Sequence, residues 1–372
     1  MSFSVAHRAQ KIYSTVLEIF DYKKSSDVVT PYGLVKQQVA GIPSDAKVCV
    51  PGAGIGTYVV ALIEQGVKPE NIYAVELDES YYELGSAMMK RFNVNYIHTD
   101  FLDWDPNMNF DVIIGNPPYN NAGKIKGGRQ TSGSSLWLQF LKKIPPLLKE
   151  GGFCSLVLPA AVGNTNSQGW KSLKNCRVIS LETGVGGKFF RVGTEISVIV
   201  FEKAPPASAH TINGVLVDRS KVPILPANCD PISISVFTKI CGFDPFVEWH
   251  RDNWPFFEKK AVKEEVVGMS FLDRAKVYNV QTFEELDSRP LKKVNICWTH
   301  TRSPKSVINL MRSKLFSFYA RETMLSGNLS VGMVRALTAP EGWENLGSDI
   351  EIYEAYGLTS EEIARVEKTC GS

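Results

Sequence analysis

The chain has 372 residues, of which 44% are apolar and 22% charged, and its net charge is +2. That length is more than one ordinary compact core and predicts two domains, while the apolar and charged fractions exclude a disordered or fibrous chain. The near balance of charge excludes a polycation, so a nucleic-acid partner has to be argued from local features.

Seven cysteines, at 49, 154, 176, 229, 241, 297 and 370, are scattered and never form a CxxC pair. This argues against a disulfide framework or zinc knuckle and for a reducing, intracellular setting. The opening residues lack the basic-then-apolar layout of a secretion signal. No apolar run approaches the roughly 18 residues of a membrane span. The expectation is a soluble, cytoplasmic protein with no membrane partner.

In chain order, Phe3, Ala6, Ile12, Tyr13, Val16, Leu17 and Phe20 lie at helical spacing and predict an opening helix; with its polar connector it occupies residues 1–26. In "VVTPYGLVKQQV", Thr30 is the expected N-cap and Pro31 the first helical residue. From Lys47 onward short apolar runs alternate with amphipathic stretches. "KVCV", "NIYAVELD", "NYIHTD", "FDVIIGN" and "FCSLVLPAA" read as buried strands. "TYVVALIEQG", "ESYYELGSAMMKRF" and "SLWLQFLKKIPPLLKEGG" read as helices, several closing on Gly or basic residues. Such alternation implies a parallel sheet with helices on both faces. "KFFRVGTEISVIVFEK" supplies a late strand that closes the sheet, and "APPASAH" shifts the composition, which puts a domain boundary near residue 205.

Beyond the boundary, prolines 223, 226, 231, 245 and 255 are expected to break the chain into short strands and turns. Residues 291–340 hold eight Lys or Arg (292, 293, 302, 305, 312, 314, 321, 335) against one acid, Glu322. With Trp298, His300, Phe316, Phe318 and Tyr319 interleaved, this stretch fits a nucleic-acid surface. Residues 341–363 hold seven acids and no Lys or Arg. "LTSEEIARVEKT" carries a capping-box pattern, Thr359 to Glu362, and predicts a final helix.

Four features fall in succession at the carboxyl ends of expected strands, where open α/β sheets bind ligands. The first is "PGAGIG", in which Gly52, Gly54 and Gly56 permit a tight turn and a close ligand approach. No Gly-Lys-Ser/Thr follows, so this is not a Walker loop. The second is Glu76, placed to accept hydrogen bonds from ribose hydroxyls. The third is Asp100, and the fourth is Asn116-Pro117-Pro118-Tyr119.

On these motifs, residues 27–203 resemble the class I S-adenosylmethionine-dependent methyltransferase domain, and more narrowly the amino-methyltransferases with an (N/D/S)PP(Y/F/W) motif. The Asn form is typical of DNA adenine-N6 methyltransferases of the gamma order. In that order a Thr-Pro cofactor motif comes first, then the Gly-rich motif, then the catalytic tetrapeptide, with target recognition last. Here "VVTPYGLVKQQV" precedes "PGAGIG", and "NPPY" follows. The resemblance implies a Rossmann-like α/β catalytic domain over 27–205, its sheet mostly parallel with a late antiparallel strand. It also implies a smaller mixed α+β recognition domain over 206–372.

The function implied is site-specific methylation of a flipped adenine in double-stranded DNA. The alternatives are an RNA-base or protein-glutamine amino-methyltransferase, or a non-catalytic methyltransferase-like protein that binds nucleic acid. A protein-glutamine enzyme usually carries its extra domain before the core, which disfavours that reading. No acid-x-Lys nuclease motif is evident. A monomer is the favoured state.

For the cofactor, S-adenosylmethionine, the resemblance puts Thr30 and Pro31 near the methionine end and Gly52 and Gly54 beneath it. Glu76 falls on the ribose and Asp100 near the adenine N6. Phe101 packs on that adenine or in the core. Many relatives have an acid immediately before the Pro of the Gly-rich motif, whereas this chain has Val50. For catalysis, the Asn116 side-chain oxygen and the Pro117 carbonyl would accept the two N–H bonds of the target amine. Adjacent prolines 117 and 118 fix φ and hold those acceptors in place. Tyr119 would stack on the flipped base, with Phe190 (or Phe189) on its other face. Lys124, Lys126 and Arg129, in a Gly-rich loop, and Lys292, Lys293 and Arg302, in the basic stretch, are the expected phosphate contacts.

Overall fold

The computed structural model describes residues 5–19, 29–119, 125–126, 129–130, 135–163, 167–190, 196–226, 230–249, 266–272, 277–282, 297–323 and 334–371. The chain divides into two compact units, one of Met1–Val162 with Ser167–Gly214, the other of Val215–Ser372 with Gly163–Asn166. None of the described helices is long and apolar enough to cross a membrane.

The first unit opens with α1 (Val5–Ile19) and α2 (Tyr32–Val39), followed by β1 (Val48–Pro51), α3 (Thr57–Gln65), β2 (Ile72–Glu76), α4 (Glu79–Met89), β3 (Asn95–His98) and β4 (Phe110–Gly115). A two-stranded hairpin of β5 (Ile125–Lys126) and β6 (Arg129–Gln130) comes next. Then follow α5 (Leu136–Leu147), β7 (Leu148–Pro159), α6 (Gln168–Ser172), β8 (Arg177–Glu182), β9 (Ile196–Glu202) and β10 (Ala209–Ile212).

Eight of these strands run in the order β10-β8-β9-β7-β4-β1-β2-β3. Pairing is parallel from β7 through β4, β1 and β2 to β3, and β9 lies antiparallel to both β7 and β8. This is the α/β architecture expected from the sequence, including the late reversed strand. The central position of β1 explains its composition: all four of its residues are buried, so no polar alternation is possible. Helix α3 buries seven residues from Thr57 to Ile63 and ends at Gly66, whose φ of 99° closes the helix in the left-handed region. Helix α1 packs against α3, and Tyr13 Oη shares a 2.7 Å hydrogen bond with Thr57 Oγ1. Strand β8 was not foreseen. Its sequence "RVISLE" alternates buried and exposed residues too weakly to stand out from the loops on either side.

The second unit holds helices Pro231–Ile240, Pro304–Arg312, Lys314–Thr323, Asp349–Ala355 and Ser360–Cys370. It also holds a three-stranded antiparallel sheet of Val277–Thr282, Val266–Leu272 and Cys297–His300, in that order. Its composition is therefore mixed α+β. The final helix has the expected capping box, with Thr359 Oγ1 on the Glu362 N–H and Glu362 reaching back to the Thr359 N–H. One expectation is corrected here. Pro231 does not break the chain but starts a helix, because Asp230 caps it through the Ser233 N–H and a proline in the first turn forfeits no helical hydrogen bond.

Candidate active site

Strand β1 delivers the chain into a turn in which Gly52, Gly54 and Gly56 have φ of 65°, 56° and 99°. Side chains resist that left-handed region, so the glycines are required by the backbone itself. The turn is held from two sides. From β2, Glu76 Oε2 accepts the Gly54 N–H and Oε1 accepts the Asp78 N–H, each at 2.7 Å. From β3, the Tyr96 hydroxyl donates to the Gly54 carbonyl at 2.5 Å. Tyr96 can reach that carbonyl only because α4 has Gly85 at the crossing, where an added Cβ would lie 2.3 Å from Tyr96 Oη. Glu76 is 8% exposed. Burial raises its pKa, opposed by hydrogen bonds from the backbone of Asp78, Gly54 and Leu77.

Strands β1 and β4 pair in parallel, Val48 with Val112 and Cys49 with Ile113, so the tetrapeptide after β4 emerges beside the glycine turn. A Cβ on Gly52 would sit 3.6 Å from Pro118 Cδ. Pro117 is buried and Pro118 exposed. Asn116 Nδ2 donates to Thr30 Oγ1 at 3.0 Å, while Asn116 Oδ1 is buried and has no hydrogen-bond partner among the described residues. An orphaned buried acceptor costs roughly 1–3 kcal/mol, and such groups in folded proteins call for a functional reason. Tyr119 and Phe190, with Phe189, are half-buried and pack on one apolar cluster of Leu34, Val157, Val185, Ile196 and Val198. The Tyr119 hydroxyl also lacks a partner among the described residues, and burial pushes its pKa up.

Asp100, just past β3, uses Oδ1 to accept the Leu102 N–H at 2.8 Å. The neighbouring Phe101 is 2% exposed and its ring stacks on Phe140 of α5, with centroids 5.1 Å apart. The Lys143 ammonium lies 5.6 Å from the Phe101 ring centroid.

These features lie on a segment with relatives. Residues 68–183 match the Eco57I restriction-modification methylase family. The match runs from just before β2 through the Asn116–Tyr119 tetrapeptide to the end of β8. Over 179 residues the chain is 28% identical to modification methylase CviBIII of Paramecium bursaria Chlorella virus NC1A, covering 45% of this chain and 46% of that one. Over 120 residues it is 29% identical to a tRNA1(Val) (adenine(37)-N6)-methyltransferase of Vibrio cholerae serotype O1, covering 30% of this chain and 50% of that one. Among solved structures, the methyltransferase subunit of a type I restriction-modification system from Streptococcus thermophilus is 20% identical, covers 55% of this chain and 51% of that one, and superposes with a TM-score of 0.44. The chain spans about half the length of the curated relatives it matches.

Within the matched segment and just before it, the fold brings together several residues singled out from sequence: Gly54 with Glu76, Gly52 with Pro118, Thr30 with Asn116, and Tyr119 with Phe190. One expectation for this unit is corrected. Thr30 is not the cap of α2; Pro31 occupies that position, with its carbonyl accepting the Leu34 and Val35 N–H groups. The Thr30 hydroxyl is thereby left for Asn116. For Phe101 the burial and the stack on Phe140 favour the core, one of the two expected places. Val50, where the resemblance implies an acid, is fully buried in β1, a place where a carboxylate would be desolvated.

Of the expected phosphate contacts, Lys124, Lys292 and Lys293 lie outside the described residues, as do the side chains of Lys126 and Arg129 in the β5–β6 hairpin. Arg302 is exposed just before the helix Pro304–Arg312 of the second unit. Three aromatics of that expected surface are corrected, while the side chains of Trp298 and His300 lie outside the described residues. Phe316, Phe318 and Tyr319 are fully buried in the helix Lys314–Thr323, Phe318 and Tyr319 against Phe237 and Phe316 against Phe246 and Tyr356. Three of the basic residues are also engaged within the unit: Lys314 with Glu367, Arg321 with the Thr369 carbonyl, and Arg335 with the Trp249 carbonyl.

Sequence reasoning missed Gly85 and Tyr96, which steady the glycine turn. It also missed Tyr58 and Gln38, whose side chains meet at 2.7 Å behind Thr30. Tyr58 gave one signal, a hydroxyl in the otherwise apolar stretch "TYVVALI".

Proposed function

We propose that this chain is a site-specific DNA methyltransferase that uses S-adenosylmethionine to methylate N6 of adenine. The observation that carries this reading is Asn116 Oδ1, a buried acceptor without a partner among the described residues, at the mouth of β4 and beside a glycine turn. The turn suits the cofactor: its three glycines bring backbone close without side chains, and the Glu76 carboxylate offers more lone-pair sites than its backbone N–H partners use. When bound, S-adenosylmethionine supplies a methyl group activated on a sulfonium.

The protein's own residues prepare the amine. Adenine N6 is a poor nucleophile because its lone pair is delocalised into the ring. Two acceptors aimed at its N–H bonds, Asn116 Oδ1 and the Pro117 carbonyl, draw the nitrogen toward a tetrahedral shape and free that pair. The double proline holds both acceptors at fixed φ, so little reorganisation is needed when reaction occurs. Gly52 and Pro118 abut, which sets the amine close to the cofactor's edge of the site and lets positioning supply much of the rate. No general base is required at the start, since the product cation sheds its proton afterwards. Extruding a base from a duplex costs a few kcal/mol. Stacking on Tyr119 and Phe190 returns about 1–3 kcal/mol per base. Thr30, Pro31, Asp100 and the exposed Arg302 complete the proposed cofactor and phosphate contacts.

The restriction-modification family and the modification methylase among the relatives support DNA as substrate. A second reading, adenine in structured RNA, is favoured by the tRNA adenine-N6 methyltransferases among the relatives and needs the same amine chemistry. The test is incubation with methyl-labelled cofactor and separate pools of duplex DNA, structured RNA and protein, followed by nucleoside analysis. N6-methyladenine in DNA is expected, and Asn116→Ala should abolish it while cofactor binding persists. Label confined to RNA or protein would overturn the DNA assignment. Wild-type turnover by Asn116→Ala would overturn the mechanism.

A further inference from the structure

Just past β3 the chain turns sharply between Asp100 and Trp104. The Asp100 carbonyl accepts the Asp103 N–H at 3.1 Å and the Trp104 N–H at 2.9 Å, and Asp100 Oδ1 accepts the Leu102 N–H at 2.8 Å. Asp100 is half-buried, and among the described residues none bonds to its Oδ2. An aspartate can close such a turn or swing out to water. The choice rests on where the N–H two residues on is pointing.

Helix α5 fixes that point from outside the turn. Lys143 Nζ donates to the Leu102 carbonyl at 2.6 Å and lies 5.6 Å from the Phe101 ring centroid. Phe140, three residues earlier and so on the same side of the helix, stacks on Phe101 with centroids 5.1 Å apart. The Leu102 N–H that holds Asp100 therefore lies between two anchored groups, the Phe101 ring before it and the Leu102 carbonyl after it. The peptide unit of that carbonyl is held at its other end as well, because its N–H is the Asp103 donor to the Asp100 carbonyl. A turn pinned in this way leaves the carboxylate one direction to face.

The charge of Lys143 is not needed for packing. Among the described residues Lys143 forms no ion pair; its ammonium is aimed at a carbonyl and a ring face. An apolar side chain could fill the same half-buried space without desolvating a cation. What the ammonium adds is a charged donor, whose hydrogen bond is about twice as strong as a neutral one.

We propose that Lys143 is a positioning residue for cofactor recognition: through Leu102 and Phe101 it aims the Asp100 carboxylate at the exocyclic amine of the cofactor's adenine. The preference for an adenine ligand then depends on a lysine of α5 that acts on the turn and not on the base. This rests on the reading of Asp100 as the acceptor of that amine, and it holds whichever nucleic acid is methylated.

The test compares two ligands by titration calorimetry: S-adenosylhomocysteine, and its analogue with unsubstituted purine, which lacks only the amine. The proteins are the wild type, Asp100→Ala, Lys143→Met and the double variant. Methionine keeps most of the lysine stem and removes the donor. Wild type should prefer the adenine ligand roughly 10- to 100-fold, the worth of a hydrogen bond to a charged acceptor. Asp100→Ala should lose that preference. Lys143→Met should reduce it by about fivefold or more, while its Kd for the purine ligand stays within about threefold of wild type, as a folded pocket requires. In the double variant Lys143→Met should add less than about threefold to the Asp100→Ala loss, because both act on one contact. A full preference in Lys143→Met, an equal loss for both ligands, or additive losses in the double variant overturns the role of Lys143 alone. A wild type that binds both ligands equally overturns the placement of Asp100 at the adenine, and the proposal with it. A wild type that binds neither overturns the cofactor assignment and the proposal together.

Discussion

Glu76→Gln separates the two duties of that side chain. The carboxylate holds the Gly54 and Asp78 N–H groups at 2.7 Å each and is nearly buried. Glutamine keeps the shape but offers one acceptor, so one of the two N–H groups meets an NH2 instead. An N–H left without its acceptor costs about 1–3 kcal/mol. Removing the charge works in the other direction, because a buried carboxylate is desolvated, as its raised pKa records. The two effects oppose each other, and the net change in unfolding free energy should stay below about 2 kcal/mol. Cofactor affinity has no such compensation. A ribose hydroxyl that loses a charged acceptor forfeits about 1.5–3 kcal/mol, which is roughly a 10- to 100-fold rise in Kd. Titration calorimetry with S-adenosylmethionine and urea unfolding on the same preparation measure both quantities. An unchanged Kd would refute the placement of Glu76 at the ribose. A large loss of stability with unchanged affinity would make Glu76 purely a brace for the turn.

Because burial raises the Glu76 pKa, the folded state holds that proton to a higher pH than the unfolded chain does. Unfolding free energy should therefore decline as pH rises through the interval between the ordinary glutamate value and the raised one, and Glu76→Gln should remove that part of the slope. Urea melts across mildly acidic pH check the sign. Gly85→Ala should drive Tyr96 off the Gly54 carbonyl and weaken cofactor binding, with Tyr96→Phe giving a smaller loss in the same calorimetric assay; full affinity in Gly85→Ala would show that the turn needs no support from β3. Phe101→Ala, which removes a stacked core ring, should cost about 3–5 kcal/mol of stability. A stability loss under 1 kcal/mol, with cofactor affinity reduced instead, would return Phe101 to the ligand.

The sequence by itself determined which stretches form the sheet's central strands and the ends at which chemistry is placed. Buried parallel strands must be short apolar runs, and left-handed turns must be glycine, so "KVCVPGAGIG" and "FDVIIGNPPY" announce themselves locally. What only the tertiary structure decided is which polar atoms face each other. Thr30 and Asn116 are separated by 86 positions, and Gln38 and Ser155 by 117, so no local pattern states that they share hydrogen bonds. The same applies in the second unit, where Phe316 and Phe318 project to opposite sides of one helix and no local pattern states that both sides are covered. Packing decides it, because neighbours cover the helix on more than one side: Phe318 and Tyr319 meet Phe237, and Phe316 meets Phe246 and Tyr356.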